Sequence, residues 1–298
     1  MGRPVVRALY WHARAAARAG AGVHARASTP RGAISVLRMV APAVVALATC
    51  WTTARGATVE EIVRLPSEGD AVLPVLFSRD DTQTPGAVAL LFTGGAGSVG
   101  LLARGIPHPG GNFLVRSRQL FLDQGIATAV IDAPSDVVSM SDGYRMSARH
   151  VRDVAAVVAD ARSRWPRAKI FLVGTSRGTV SAAYAGAALG PAVAGVVLSS
   201  SVLRSSRGGA GLAGFDDRSI RTPLLLVHHV DDACPVTPYA AAQALSSRYP
   251  LISVHGGDPP RSDACEPFSA HGYVGVEAAT VSAISHWMLG LDYPRQVP

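Results

Sequence analysis

Lys169-Ile-Phe-Leu-Val-Gly-Thr-Ser-Arg-Gly-Thr-Val180 is the stretch on which the reading of this chain turns. Its four apolar residues Ile170 to Val173 are too few for a helix and suit a buried strand. Gly174-Thr-Ser-Arg-Gly178 then fits the pattern G-x-S-x-G, and the small residues from Ser181 to Leu189 favour a helix. Strand, sharp turn and helix in succession give the pentapeptide a mechanical meaning. The turn holds Ser176 in a strained conformation at the carboxyl edge of a sheet. Glycines two before and two after it leave room where strand and helix pass closely. The helix's positive end points at the serine. The competing reading is an ordinary strand-to-helix turn with a capping serine; the flanking elements favour a nucleophile.

On both sides of this unit the pattern alternates between strand and helix. Ala71 to Ser78 reads as a strand paired antiparallel with Val59 to Leu65. Gly86 to Phe92 is a continuous apolar run, as expected for a strand covered on both faces. It ends in Thr93-Gly-Gly-Ala-Gly-Ser98. A helix over Phe113–Asp123 and a strand over Ile126–Asp132 follow. Ala148–Arg164 places Val151, Val154, Val158 and Ala161 on one helical face. After the Ser176 unit come strands at Val193–Leu198, Pro223–His228 and Leu251–His255, with helices at Ala240–Ser247 and Val274–Leu289. The expectation is an α/β fold with a mostly parallel sheet and helices on both faces. Ser199–Arg221 is the one long stretch without a regular pattern.

A serine hydroxyl needs a base to take its proton, and the base needs a carboxylate to orient it. In the order Ser, Asp, His both partners lie C-terminal to Ser176. Asp232 follows the 223–228 strand and is the favoured acid, with the adjacent Asp231 pointing the other way and Asp216 and Asp217 as outside candidates. His271, in Phe268-Ser-Ala-His-Gly-Tyr273, sits on a loop before the last helix and is the favoured base. His255 at a strand end competes with it, while His286 lies inside an apolar helix. For the oxyanion, the backbone N–H of Arg177 and one from the glycine turn, Gly95, are the expected donors. That turn lacks the Lys-Ser/Thr ending of a phosphate loop. The Arg177 side chain reads as a surface group, with a substrate anion as the lesser alternative.

Gly174-Thr-Ser-Arg-Gly178, Thr93-Gly-Gly, Asp232 and His271 occur in an order that resembles the α/β-hydrolase superfamily. The resemblance covers Val59 to Leu291 and places an α/β-hydrolase domain at 57–298. It implies a serine hydrolase that cleaves a carboxylic ester, or less readily an amide or peptide, through an acyl-enzyme and without a cofactor. Thr93 stands where many members have histidine, and 199–221 is too short for a large cap domain. The alternatives are a non-catalytic binding or scaffold protein on the same fold and an acyltransferase.

Charge, leader and cysteines set the setting. The net charge of +7 comes from seven arginines within residues 1–38, a stretch without any acid. Of 28 basic residues these seven leave 21, against 21 acidic ones, so nucleic acid is not an expected partner. Met39 to Trp51 is uncharged and too short for a membrane span; with Ala54-Arg-Gly56 it reads as a secretory signal occupying 1–56, with translation starting near Val36 or Met39 as one option. The protein is therefore expected to be periplasmic or secreted, with lipidation at Cys50 as a minor alternative. Cys234 and Cys265 then form an even pair, expected to be a disulfide that ties the acid loop to the base loop. Two cysteines and scattered histidines lack metal-ligand spacing.

Overall fold

The computed structural model describes residues 56–107 and 111–298. The expected leader, Cys50 and most of the 1–56 segment lie outside the described residues.

The described residues open with the antiparallel pair β1 (Thr58–Pro66) and β2 (Val72–Asp80), followed by β3 (Ala87–Phe92). Three short helices come next: α1 (Leu101–Arg104), α2 (Phe113–Arg116) and α3 (Arg118–Leu122). Then follow β4 (Ile126–Ile131), α4 (Asp142–Arg145), α5 (Ala148–Arg164), β5 (Lys169–Thr175) and α6 (Gly178–Leu189). The C-terminal part holds β6 (Gly195–Ser199), β7 (Leu224–His229), α7 (Tyr239–Ala244), β8 (Leu251–Val254), α8 (Glu277–Leu289) and β9 (Gln296–Val297).

These strands form one sheet in the order β1-β2-β4-β3-β5-β6-β7-β8-β9. Pairing is antiparallel at β1–β2 and β2–β4 and parallel from β4 onward. The apolar runs of β3, β4, β6 and β7 are buried at every residue because helices cover both faces. One face packs against α5, α6 and α7 through Val154, Val157, Val180 and Ala242. The other packs against α1–α3 and α8 through Leu101, Phe113, Phe121 and Ile284. Small residues let α6 lie close to the sheet: a Cβ on Gly186 would stand 2.5 Å from Val196 Cγ2.

Several boundaries differ from the sequence reading. The expected helix over Phe113–Asp123 is divided at Ser117, which ends α2 and begins α3. The last helix starts at Glu277 because Tyr273 (φ 60°) and Gly275 (φ 82°) are left-handed, which a right-handed helix excludes. On α5, Val157 is buried where Val151 is only half-buried. The two-residue β9 is too short to leave a pattern.

The strand order reverses between β3 and β5, and ligand crevices of open parallel sheets form at such a switch point. Phe92, the last residue of β3, pairs with Gly174 of β5, so the glycine turn and the Ser176 turn leave the sheet side by side.

Candidate active site

Ser176 adopts φ 52° between β5 and α6. The strain is held by its surroundings: its N–H donates to Ser199 O, and its carbonyl accepts from Thr179 N and Thr179 Oγ1. The glycines around it are sterically required. A Cβ on Gly174 would come within 2.5 Å of Gly178 O, and one on Gly178 would fall onto the Phe92 carbonyl.

Asp232 and His271 arrive from the ends of β7 and β8. Asp232 Oδ1 accepts from Cys234 N at 2.9 Å, and Oδ2 accepts from Thr237 Oγ1 at 2.8 Å. The same Oδ2 lies 2.9 Å from His271 Nδ1, which also contacts Thr237 Oγ1 at 3.1 Å. With Thr237 donating to the carboxylate, its oxygen and Asp232 are both acceptors for a proton on Nδ1. The opposite nitrogen, Nε2, is thereby left as an acceptor. It is buried and has no hydrogen-bond partner.

Behind the histidine, Tyr273 is fully buried at φ 60° and its hydroxyl donates to Val227 O. Ser200, another left-handed residue at φ 43°, donates from Oγ to His271 O and from N–H to the Tyr273 oxygen. Burial raises the Tyr273 phenol well above its ordinary range, so it stays a neutral strut. Beneath them His228 accepts from Ser201 N at 2.9 Å, and burial lowers its pKa to about 4. It is neutral at physiological pH.

Ser176, His271, Gly94, Gly95 and Glu266 line one cavity of about 210 Å³. A larger cavity of about 430 Å³ shares Gly94 and Asn112 with it and has apolar walls at Val99, Ile106 and Val115. A Cβ on Gly94 would lie 2.8 Å from Ser176 Cβ, so the glycine turn touches the serine directly. Gly95 has φ 56°. Among the described residues neither Gly95 N–H nor Arg177 N–H has a hydrogen-bond partner. Two free amides beside a serine and an acceptor nitrogen make a set able to hold an oxyanion during acyl transfer.

The other sequence candidates lie elsewhere. Asp231 is exposed, and its N–H donates to His229 Nδ1. His255 is exposed and bonded to Gln296, and His286 contacts the Asp292 carbonyl. Asp216 caps the turn Asp217–Ser219, and Asp217 pairs with Arg248. The Arg177 guanidinium pairs with Asp142 at 2.7 Å and donates to Gly208 O, which commits it to holding the 199–221 excursion against the elbow. Cys234 and Cys265 are bridged. Thr237, Tyr273 and Ser200 escaped the sequence reading, because a lone threonine, tyrosine or serine carries no pattern. Among the described residues there is no group of His, Cys, Asp and Glu suited to a metal ion, and no helix long and apolar enough to cross a membrane.

Residues 122–215 match the family model described as serine aminopeptidase, S33, a span that includes Ser176 but neither Asp232 nor His271. No curated protein matches the sequence. Among solved structures, the chain is similar to Est1E from Butyrivibrio proteoclasticus at 16% identity and TM-score 0.53, covering 77% of this chain and 98% of that one. A dienelactone hydrolase from Anabaena variabilis is similar at 14% identity and TM-score 0.51, covering 78% and 96%. XC6422 from Xanthomonas campestris, an α/β serine hydrolase without a lid, is similar at 13% identity and TM-score 0.51, covering 78% and 92%. At such identities the likeness is one of fold.

Proposed function

For a chain with the α/β-hydrolase fold, we propose a serine hydrolase in which Ser176 is the nucleophile, His271 the base and Asp232 the residue that orients it. The observation that carries this reading is the His271 Nδ1–Asp232 Oδ2 contact of 2.9 Å, which leaves Nε2 without a partner on a residue that lines the same cavity as Ser176.

The geometry supports the following steps. His271 Nε2 takes the Ser176 proton as Oγ attacks the acyl carbon. The amides of Arg177 and Gly95 stabilise the oxyanion. On collapse the leaving alcohol or amine takes the proton from Nε2. Water, deprotonated by the same nitrogen, then releases the acid and restores the serine. The 430 Å³ cavity beside Gly94 would receive one apolar arm of a small ester, and an amide is the second substrate class.

The protein is further proposed to act outside the cytoplasm. A disulfide between Cys234 and Cys265 supports this, since such bonds persist in oxidising compartments.

The deciding experiment is labelling of wild type, Ser176→Ala and His271→Ala by a fluorophosphonate probe. Labelling lost in both variants is expected. Labelling that survives Ser176→Ala, or no labelling of folded wild type, would overturn the proposal.

A further inference from the structure

We propose that Arg145 is a positioning residue for this hydrolysis: it holds the Thr93 and Gly95 carbonyls of the glycine turn, so that the neighbouring amides stay free for the oxyanion, and it sets a buried charge with no bonded carboxylate behind them. The inference rests on the serine-hydrolase reading above.

Arg145 is fully buried at 0% exposure. Its Nε donates to Met140 O at 3.1 Å and its Nη1 to Ser181 Oγ at 2.9 Å. Its Nη2 reaches both Thr93 O and Gly95 O at 3.3 Å. The two carbonyls it does not hold are held nearby: Gly97 N donates to Gly94 O at 3.0 Å, and Met140 N donates to Ala96 O at 2.8 Å. All four carbonyls from Thr93 to Ala96 are therefore bonded, while the amides of Gly94 and Gly95 have no partner among the described residues. A run of free amides of this kind binds anions. Gly97, at φ 73°, is where the guanidinium needs room, since a Cβ there would lie 2.5 Å from Nη2.

The charge is as informative as the hydrogen bonds. Among the described residues no carboxylate bonds to Arg145. The nearby Asp142 is engaged through Oδ1 by Arg177 and through Oδ2 by Gly211 N. Burial lowers the Arg145 pKa to about 10, which still leaves it charged at neutral pH. A buried cation with no bonded carboxylate is costly in the resting enzyme, and the nearby Asp142 charge offsets only part of that cost. An oxyanion on the glycine-turn amides brings a second negative charge towards it, so this added stabilisation belongs to the tetrahedral stage.

The test compares wild type with Arg145→Met, close in length but neutral, and Arg145→Lys, which keeps the charge without the fork. Each is purified with the disulfide intact and checked by near-UV circular dichroism. The readouts are kcat and KM for p-nitrophenyl butyrate and the inhibition constant of phenylboronic acid, which forms a tetrahedral anionic adduct on the serine. In Arg145→Met we expect kcat and boronate affinity to fall together by about 100-fold, with KM within about threefold of wild type. Arg145→Lys should fall between the two. Folded Arg145→Met with wild-type kcat and boronate affinity would overturn the inference, and equal losses in the Met and Lys variants would overturn its charge component. If Arg145→Met does not fold, Arg145→Lys decides alone: about tenfold weaker boronate binding supports the inference, and unchanged binding overturns it. Folded wild type that neither labels nor hydrolyses the ester would sink the serine-hydrolase reading itself, and this inference with it.

Discussion

His271 Nδ1 and Asp232 Oδ2 stand 2.9 Å apart although 39 residues of chain separate them. The contact is buried, with His271 at 4% and Asp232 at 9% exposure. Every oxygen of the carboxylate is engaged: Cys234 N holds one, while Thr237 and His271 share the other. A carboxylate so fixed can set the histidine tautomer without itself taking the proton.

Asp232→Asn should therefore reduce kcat by roughly 10³–10⁴-fold while KM changes little, because the amide allows the wrong tautomer. Asp231→Asn removes an exposed carboxylate that touches neither Ser176 nor His271, so activity should stay within about threefold. Steady-state kinetics on one ester separates the two positions. Equal losses would mean that the acid is not confined to Asp232.

The Cys234–Cys265 bridge closes a loop across 31 positions, with Cα atoms 4.7 Å apart. The chain-entropy account gives about 3–4 kcal/mol for a loop of that length. Cys234→Ser with Cys265→Ser should lower stability by about that amount in denaturant titration. Activity should fall at denaturant concentrations below the unfolding midpoint, since the bridge joins the segments bearing Asp232 and His271. Coincident loss of activity and fold would reject the local role.

Gly94→Ala tests the contact between the glycine turn and Ser176. The new methyl would sit 2.8 Å from Ser176 Cβ and 3.2 Å from Thr175 O, so the turn or the serine must move. We expect kcat to drop by about 100-fold with stability down by about 1–3 kcal/mol. Gly178→Ala, whose methyl would fall onto Phe92 O, should instead fail chiefly in stability. Thermal melts beside kcat measurements distinguish the two.

Two buried histidines make stability depend on pH. Burial lowers His228 to about 4, and burial with the Arg145 charge lowers His150 to about 3. Both depressed values mean that the unfolded chain binds more protons than the folded one below its ordinary histidine pKa of about 6.5. Their contribution is complete above about pH 6.5 and is lost as pH falls towards about 4 for His228 and about 3 for His150, at up to about 1.4 kcal/mol per pH unit for each. Urea titrations between pH 5 and 8 should show stability rising to a plateau near neutrality. A flat profile from pH 5 to 6.5 would show that the two imidazoles are solvated.

Much of the architecture was legible because its signals are local. The apolar run of β3, the small residues of α6 and the Ser147-capped helix α5 each encode their conformation within a few residues. The elbow was legible for the same reason: G-x-S-x-G between a strand and a helix records the steric limits set by Phe92 O and Gly178 O. Helix ends were less legible: the left-handed Tyr273 and Gly275 delay to Glu277 a helix expected from Val274.

The chain-local pattern thus determined an α/β sheet, the position of Ser176 and the short set of acids and histidines able to serve it. Only the tertiary structure shows which of them meet, because the pairing depends on strand register: β7 and β8 run parallel and end together, bringing Asp232 beside the loop that carries His271, while His255 turns towards β9. The same holds for Thr237 and for Arg145, whose partners lie up to 52 residues away in sequence. Hydrogen bonds of 3 Å between such distant groups are set by how whole elements pack, and packing leaves no trace in the spacing of residues along the chain.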